Sequence, residues 1–187
     1  MEAFLVSTGI VALAEIGDKT QLLSLVLAAK FRKPLPIILG ILVATLLNHA
    51  GAGIVGTWIT SLLGEDALRW VLGLGFLAMA VWIMIPDKLD ETDAHIDASR
   101  NSVFMATLIA FFIAEMGDKT QVATIALAAE YASLAWVVLG TTLGMMIANV
   151  PAVLVGDKMA HRLPLKLVHG IAAIIFVLLG LAALFGF

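Results

Sequence analysis

The sequence predicts an all-α polytopic membrane protein of six transmembrane helices, built as two inverted three-helix repeats. Its composition is the first reason: of the 187 residues, 61% are hydrophobic and 13% are charged, with a mean hydropathy of +1.06. A water-soluble domain usually carries about 25% charged residues, so this chain has too few to cover a surface in water. The other two reasons are a set of apolar runs of helical length and a charged octapeptide that occurs twice.

Six apolar runs are each close to the roughly 20 residues that a helix needs to cross a bilayer. They are separated by segments that combine charge with Pro, Gly or Ser. Helices are predicted because an open sheet would leave backbone hydrogen-bonding groups unsatisfied in lipid. The runs cover residues about 4–29, 35–60, 67–85, 103–129, 133–155 and 165–186.

Lys and Arg are distributed unevenly between the predicted loops. Nine of the 11 lie outside the two octapeptides, and eight of these nine fall in or beside the first, third and fifth loops. Since cytoplasmic loops carry the excess of Lys and Arg, we expect the odd-numbered loops in the cytoplasm and both termini on the other side. The chain then divides into a first repeat over residues 1–85, a cytoplasmic acidic linker over 86–102 and a second, inverted repeat over 103–187.

The octapeptide AEIGDKTQ at residues 14–21 returns as AEMGDKTQ at residues 114–121. The similarity continues beyond it, since 10 of 16 positions are identical between 14–29 and 114–129. Each copy lies in the first of three predicted helices, and an odd number of crossings turns the second half over in the membrane. Many secondary transporters are inverted repeats of this kind, with the binding site at the repeat interface near the membrane midplane.

The charged residues of both octapeptides lie near the middle of their predicted spans. From Phe4 to Glu15 is about 17 Å of helix, in a hydrocarbon core about 30 Å thick. A charge at that depth costs about 2.5–3.5 kcal/mol, so we expect it to have a function. Carboxylates from two facing helices would suit a hard divalent cation. The predicted metal ligands are Glu15, Asp18, Glu115 and Asp118, together with Asn48 and Asn149, which align between the halves only with a slip of one residue.

A continuous helix would place the motif side chains in a definite order. Glu15 and Asp18 would lie about 60° apart on one face, and Lys19 about 40° to the other side of Glu15. Gly17 removes a side chain beside the carboxylates, so another backbone could come close. The lysines are expected to orient and neutralise the acids. The predicted supporting residues are Lys19, Lys119, Gly17, Gly117, Thr20, Thr120, Gln21 and Gln121.

A purely structural role for the motif is the alternative. Glu15 and Lys19 stand four residues apart, as in a plain helical ion pair. The two copies together hold four acids and two bases, however, and a divalent cation or two protons would balance the excess charge. His49 is a weaker candidate for carrying protons, because the other half has no matching His. The acidic linker lacks the spacing of an EF-hand and is interpreted as a solvated connection.

Several other classes of function are excluded by the composition and the motifs. Cysteine is absent, so disulfides and thiolate metal sites are ruled out. No Ser-His-Asp arrangement, phosphate loop or His cluster is present, so we predict no enzyme activity, no catalytic residues and no cofactor. The net charge of -3 is small and predicts no nucleic-acid partner.

The doubled Glu-x-Gly-Asp-Lys-Thr segment resembles the Glu-x-Gly-Asp family of cation/proton exchangers, which includes Golgi manganese and calcium transporters and bacterial manganese exporters. The resemblance covers essentially the whole chain, and the family's motif acids correspond to Glu15, Asp18, Glu115 and Asp118. It implies export of Mn²⁺, with Ca²⁺ as a second ion, in exchange for protons. The lack of an N-terminal targeting extension and of a long central loop suggests the plasma (inner) membrane of a prokaryote.

Exchange with protons is also expected on physical grounds. Four acids packed in a low dielectric cannot all stay ionised without a cation, because burial and like charges both favour the neutral acid. Protons would replace the departing metal, and the two loaded states would let the repeats rock past each other. The predicted partners are the metal ion, protons and the lipid bilayer, with a homodimer as an option. A passive divalent-cation channel and a non-transporting membrane scaffold remain as alternatives.

Overall fold

The computed structural model describes residues 1–85, 102–131, 133–155 and 165–185, which are helical without any strand. All-helical structure agrees with the predicted class. The described helices are α1 (Glu2–Glu15), α2 (Lys19–Phe31), α3 (Pro34–Leu62), α4 (Glu65–Trp82), α5 (Val103–Glu115), α6 (Lys119–Tyr131), α7 (Leu134–Val155) and α8 (Leu165–Phe185).

The first and fourth predicted spans are not continuous helices, so that expectation was wrong. Helix α1 ends at Glu15, and α2 begins at Lys19. Between them Gly17 has φ +88°, in the left-handed region that glycine adopts at little cost. The second copy has the same break, with Gly117 at φ +75° between α5 and α6. Each octapeptide is therefore a turn between two short helices.

Three of the described helices are long and apolar enough to cross a membrane: Pro34–Leu62, Leu134–Leu154 and Lys166–Phe185. The broken helices α1, α2, α5 and α6 have 13 or 14 residues each, too few to span a bilayer singly. The chain is thus an all-α membrane protein, and the count of six spans remains a prediction. Of the predicted linker 86–102, residues 86–101 lie outside the described residues.

The two halves of the chain interlock through equivalent helix contacts. Helix α1 packs against α7, and its counterpart α5 packs against α3. A Cβ atom on Gly140 would lie 3.0 Å from the Cβ of Ser7, and one on Gly40 would lie 2.8 Å from the Cβ of Thr107. These four residues form two pairs offset by one hundred. Small residues thus let the helices of opposite halves approach closely.

The third helix of each half packs on its counterpart. A Cβ on Gly73 of α4 would lie 3.1 Å from the carbonyl oxygen of Gly180 in α8, and one on Gly180 would lie 2.9 Å from the carbonyl oxygen of Gly73. Beside them the rings of Phe76 and Phe176 are 6.2 Å apart between centroids. Both rings are fully buried. Helices α4 and α8 therefore form a close pair.

Candidate metal site

The two helix breaks are closed locally by the motif's own side chains. The N–H of Gly17 donates to Oε1 of Gln21 at 2.9 Å, and the N–H of Gly117 donates to Oε1 of Gln121 at 2.7 Å. A glutamine in the first turn of a helix can accept from a backbone N–H just before that helix, and this contact closes each break. The expectation that Gly17 admits a neighbouring backbone does not extend to Gly117, because a Cβ there would meet nothing within 4 Å. Its left-handed φ explains this glycine.

The motif glutamines also join the two halves. The Nε2 amide of Gln21 donates to the carbonyl oxygen of Ala148 at 3.0 Å. That of Gln121 donates to Oδ1 of Asn48 at 3.4 Å. Because residues 48 and 148 are equivalent positions, each motif contacts the same point of the opposite half.

The motif glutamates are wholly buried, and each is held by a threonine of its own motif. The hydroxyl of Thr20 donates to Oε2 of Glu15 at 2.5 Å, and that of Thr120 donates to Oε2 of Glu115 at 3.0 Å. The Oε1 atoms of both glutamates accept no hydrogen bond from the described part of the chain. Burying a carboxylate oxygen without a partner is costly, and a cation bound at these two atoms would offset that cost.

Three acids from the two halves meet at one place. Glu15, Glu115 and Asp118 each offer a carboxylate oxygen, and these oxygens lie within 4.8 Å of one another. Two oxygens bound to one Ca²⁺ at 2.3–2.6 Å lie at most about 5 Å apart, so a single ion fits this spacing. Asp18, the fourth predicted ligand, is outside this trio, and its Oδ1 lies 3.9 Å from the Nζ of Lys119.

The lysines pair across the halves. The Nζ of Lys19 lies 3.5 Å from Oδ1 of Asp118, and the Nζ of Lys119 lies 3.9 Å from Oδ1 of Asp18. The alternative ion pair within one motif, between Glu15 and Lys19, is not the pairing found among the described salt bridges. Each lysine therefore compensates an acid contributed by the other half.

The two asparagines tie helices together. The Nδ2 of Asn48 donates to the carbonyl oxygen of Phe112 at 3.1 Å. The Oδ1 of Asn149 accepts from the hydroxyl of Ser24 at 2.7 Å, and its Nδ2 donates to the carbonyl oxygen of Met145 at 3.1 Å. Their amide oxygens are thus already engaged by side chains of the opposite half. His49 is also buried, and neither ring nitrogen has a hydrogen-bond partner in the described residues.

Two groups near the site were missed from the sequence. Ser24 holds Asn149, and the equivalent Thr124 is likewise a buried hydroxyl, so a comparison of hydroxyl residues between the repeats would have found this pair. His169 of α8 lies 2.7 Å, through Nε2, from the carbonyl oxygen of Ile16 in the first break. A carbonyl only accepts, so Nε2 donates. No sequence signal marked His169, because Arg69 stands at the equivalent position.

An all-helical membrane protein with buried carboxylates from two repeats defines a class of cation-handling proteins, and comparison with known families identifies it. The chain belongs to the divalent cation/proton antiporter GDT1 family, whose model matches residues 3–91 and 103–186. This confirms the family resemblance. The family consists of antiporters and not of enzymes.

Among individual relatives, a Vibrio cholerae serotype O1 protein named "Putative manganese exporter" is 53% identical over 186 residues, covering 99% of this chain and 92% of the relative. The GDT1-like protein sll0615 of Synechocystis is 30% identical over 196 residues, covering 95% of this chain and 94% of the relative. The GDT1-like protein 5 of Arabidopsis thaliana is 24% identical, covering 98% and 96%. No solved structure matches the chain.

Proposed function

We propose that this chain is a secondary transporter that exports Mn²⁺ from the cytoplasm in exchange for protons, using one site between its two motifs. The observation that carries the proposal is the meeting of Glu15, Glu115 and Asp118, buried and contributed by both halves, with oxygens within 4.8 Å. Membership of an antiporter family supports the same function.

The three clustered acids are the proposed direct ligands. Thr20 and Thr120 hold one oxygen of each glutamate, which leaves the other oxygen for the ion. Asp18, which pairs with Lys119, supplies the fourth negative charge of the two motifs, so its loss should be as damaging as the loss of a ligand.

The asparagines are proposed to support the site indirectly. Asn48 and Asn149 engage their amide groups with neighbouring helices. Substituting them should reduce transport less than substituting the acids, because no charge is removed from the site.

The choice of ion follows from ligand chemistry and similarity. Carboxylate oxygens without thiolates favour Mn²⁺, Ca²⁺ or Mg²⁺ over softer ions. The 53% identical relative carries manganese in its printed name, which supports Mn²⁺ as the first candidate. Ca²⁺ is the second, because it accepts flexible oxygen ligands at similar distances.

Charge balance provides the coupling to protons. The two motifs hold four acids and two lysines, which leaves two excess negative charges that one divalent cation neutralises. When the ion leaves, burial and mutual repulsion favour protonation of the carboxylates. The crossed lysine pairs reduce this tendency without removing the excess. The metal-loaded and protonated sites are therefore the two neutral states, and these are the states able to change conformation.

The two repeats, residues 1–85 and 103–187, are proposed to be inverted in the membrane. Equivalent helices of an inverted repeat run in opposite directions. In support, Gly73 of α4 lies against Leu184 of α8, whereas Leu77, later in α4, lies against Gly180, earlier in α8. The pair is thus antiparallel.

The proposed orientation places both termini on the non-cytoplasmic side of a prokaryotic plasma membrane. It follows from the eight Lys and Arg residues in or beside odd-numbered loops. Cysteines introduced one at a time at positions 31–33 should react with an impermeant thiol reagent only from the cytoplasmic side. Reaction from outside intact cells would contradict the topology.

Reconstitution in liposomes tests the exchange. Vesicles containing the protein and a manganese-sensitive dye are given an inside-acid or inside-alkaline pH gradient. An exchanger accumulates Mn²⁺ against its gradient when the lumen is acid, and Mn²⁺ added alone moves protons the opposite way. Flux that ignores the pH gradient would indicate the channel alternative, and absence of flux from folded protein would indicate the scaffold.

A further inference from the structure

Helices α4 and α8 form one structural unit, and the other six described helices form a second. We call the first unit the panel and the second the core. The panel helices are joined by the contact between Gly73 and Gly180 and by the adjacent rings of Phe76 and Phe176. The core is joined across the halves by α1 on α7 and by α5 on α3. Because the halves interlock in this way, rocking one repeat against the other would break most of the core.

The panel lies asymmetrically on the core. Helix α8 packs against α1, and α4 packs against α6. In the repeat, α1 corresponds to α5, α2 to α6 and α4 to α8. The equivalent contacts of the panel would therefore be α4 against α5 and α8 against α2. Those equivalent pairs make little contact within the described ranges. The core therefore has two equivalent surfaces on which the panel can pack, and we call each of them a seat. The panel occupies the seat formed by α1 and α6, and the other seat is formed by α5 and α2.

Two polar contacts hold the panel on the occupied seat. The Nε2 of His169 donates to the carbonyl oxygen of Ile16, and the Nζ of Lys119 donates to the carbonyl oxygen of Ile85, both at 2.7 Å. Each contact joins a motif to a panel helix or to the turn that follows it. The Lys119 contact has a charged donor, and hydrogen bonds of this kind are among the stronger ones.

Both contacts lie on the same side of the Phe76 and Phe176 rings. Ile85 follows Phe76 by nine residues, whereas His169 precedes Phe176 by seven in the antiparallel helix. This side of the panel is therefore closed against the motifs. On the proposed orientation it is the cytoplasmic side, where α4 ends and α8 begins.

The equivalent groups on the opposite side are more exposed. Arg69, the counterpart of His169, is exposed. Met116, the counterpart of Ile16, is 61% exposed, whereas Ile16 is half-buried. The Lys19 side chain is 21% exposed, against 4% for Lys119. The asymmetry of the panel thus extends to the exposure of the motifs.

We infer that the α4–α8 panel moves between the two seats, and that His169 and Arg69 are positioning residues that stabilise opposite end states. In the second state Arg69 donates to the carbonyl oxygen of Met116, and His169 has released Ile16. The panel then lies on α5 and α2, and the site opens on the other side. This inference rests on the proposed transport function and adds the moving body and the residues that set its balance.

The chain contains no cysteine, so single cysteines can report on each side. Ile16→Cys and Met116→Cys are placed in separate backgrounds and reacted with a small, positively charged thiol reagent in detergent or vesicles. We expect Met116→Cys to react faster in the otherwise unchanged protein. His169→Leu should raise the reaction rate at position 16 and lower it at position 116, changing the ratio of the two rates by about fivefold, the typical effect of one lost hydrogen bond.

Arg69→Leu should shift both rates in the reverse direction, which a general loosening of the fold cannot do. Lys166→Leu is the matched control, because Lys166 is an exposed cation on α8 and should change neither rate. His169→Gln keeps an amide N–H donor at this position, so its reaction rates at positions 16 and 116 should be close to those of the unchanged protein. If His169→Leu fails to fold, Arg69→Leu still tests the inference, because it must lower the rate at position 16 and raise the rate at position 116.

Rates that change in the same direction for both leucine variants, or a Met116→Cys that does not react, would overturn the inference. The labelling needs neither Mn²⁺ nor a pH gradient, so its result is independent of the transport assay. Opposite shifts in a protein without proton-coupled flux would refute the proposed function and leave the moving panel standing. Coupled flux without opposite shifts would support the proposed function and refute the moving panel.

Discussion

Substituting Gly117 tests the helix break between α5 and α6. At this position an added side chain strains the backbone without crowding any neighbouring atom. Its φ is +75°, and an added Cβ would meet nothing within 4 Å. The only cost of Gly117→Ala is then the left-handed backbone, about 1–2 kcal/mol for a residue with a Cβ. For a chain of this size that corresponds to a decrease of about 2–8 °C in the midpoint of thermal unfolding.

Gly51 provides the matched control for this substitution. It lies within α3, and an added Cβ there also meets nothing within 4 Å. Gly51→Ala should be neutral or stabilising by up to about 1 kcal/mol, because alanine is the better helix former. Gly117→Asn should fall between the two alanine variants, since asparagine tolerates the left-handed region better than alanine.

The assay combines thermal unfolding in detergent with Mn²⁺ flux in vesicles. Relief of the strain at position 117 would move Asp118 relative to Glu115 on either side of the break, so flux should fall further than stability alone explains. If Gly117→Ala raised the unfolding midpoint as Gly51→Ala does and kept normal flux, the break between α5 and α6 would not exist as described.

The charged residues give further predictions. Glu15→Gln and Glu115→Gln should each weaken Mn²⁺ binding by about 100-fold or more and abolish flux, because breaking a buried charge interaction costs about 3–5 kcal/mol. Near-normal flux in either variant would refute a shared site. The control is Glu65→Gln, which changes an exposed acid of α4. Lys19→Ala should change the apparent Mn²⁺ affinity or its pH dependence, measured by flux at several pH values, and unchanged curves would remove the lysine from the coupling. Lys119→Ala should have the larger effect of the two, because Lys119 also donates to Ile85, and equal effects would argue against the asymmetry.

The membrane class and the repeat were readable from the sequence because both are local or periodic properties. Apolar composition follows from the solvent that surrounds each helix, and it does not depend on how the helices meet. The identity of the acids was equally visible, since a charge near the centre of an apolar run is costly wherever its neighbours lie. The comparison of the two copies then indicated that Glu15 and Glu115 belong together, and the structure brings them within one cluster.

The conformation of the motif was misread because the hydropathy of the run continues through it. A glycine in an apolar run is compatible with a helix or with a break, and only the backbone at Gly17 and Gly117 distinguishes the two. With the helix assumed continuous, Lys19 was placed beside Glu15, whereas the turn directs it to Asp118 of the other half.

By itself, therefore, the sequence determined a twofold-repeated membrane protein with buried acids, because burial energies act on each residue separately. Tertiary structure decided the partners: which acid each lysine compensates, which asparagine oxygens are engaged, and which side of the site is covered. His169 shows the reason most clearly, because it contacts Ile16 across 153 positions of sequence. Its counterpart Arg69 is exposed, so the contacts of the two repeats are unequal at this position, and only the packing of α8 against α1 shows which of the two residues is engaged.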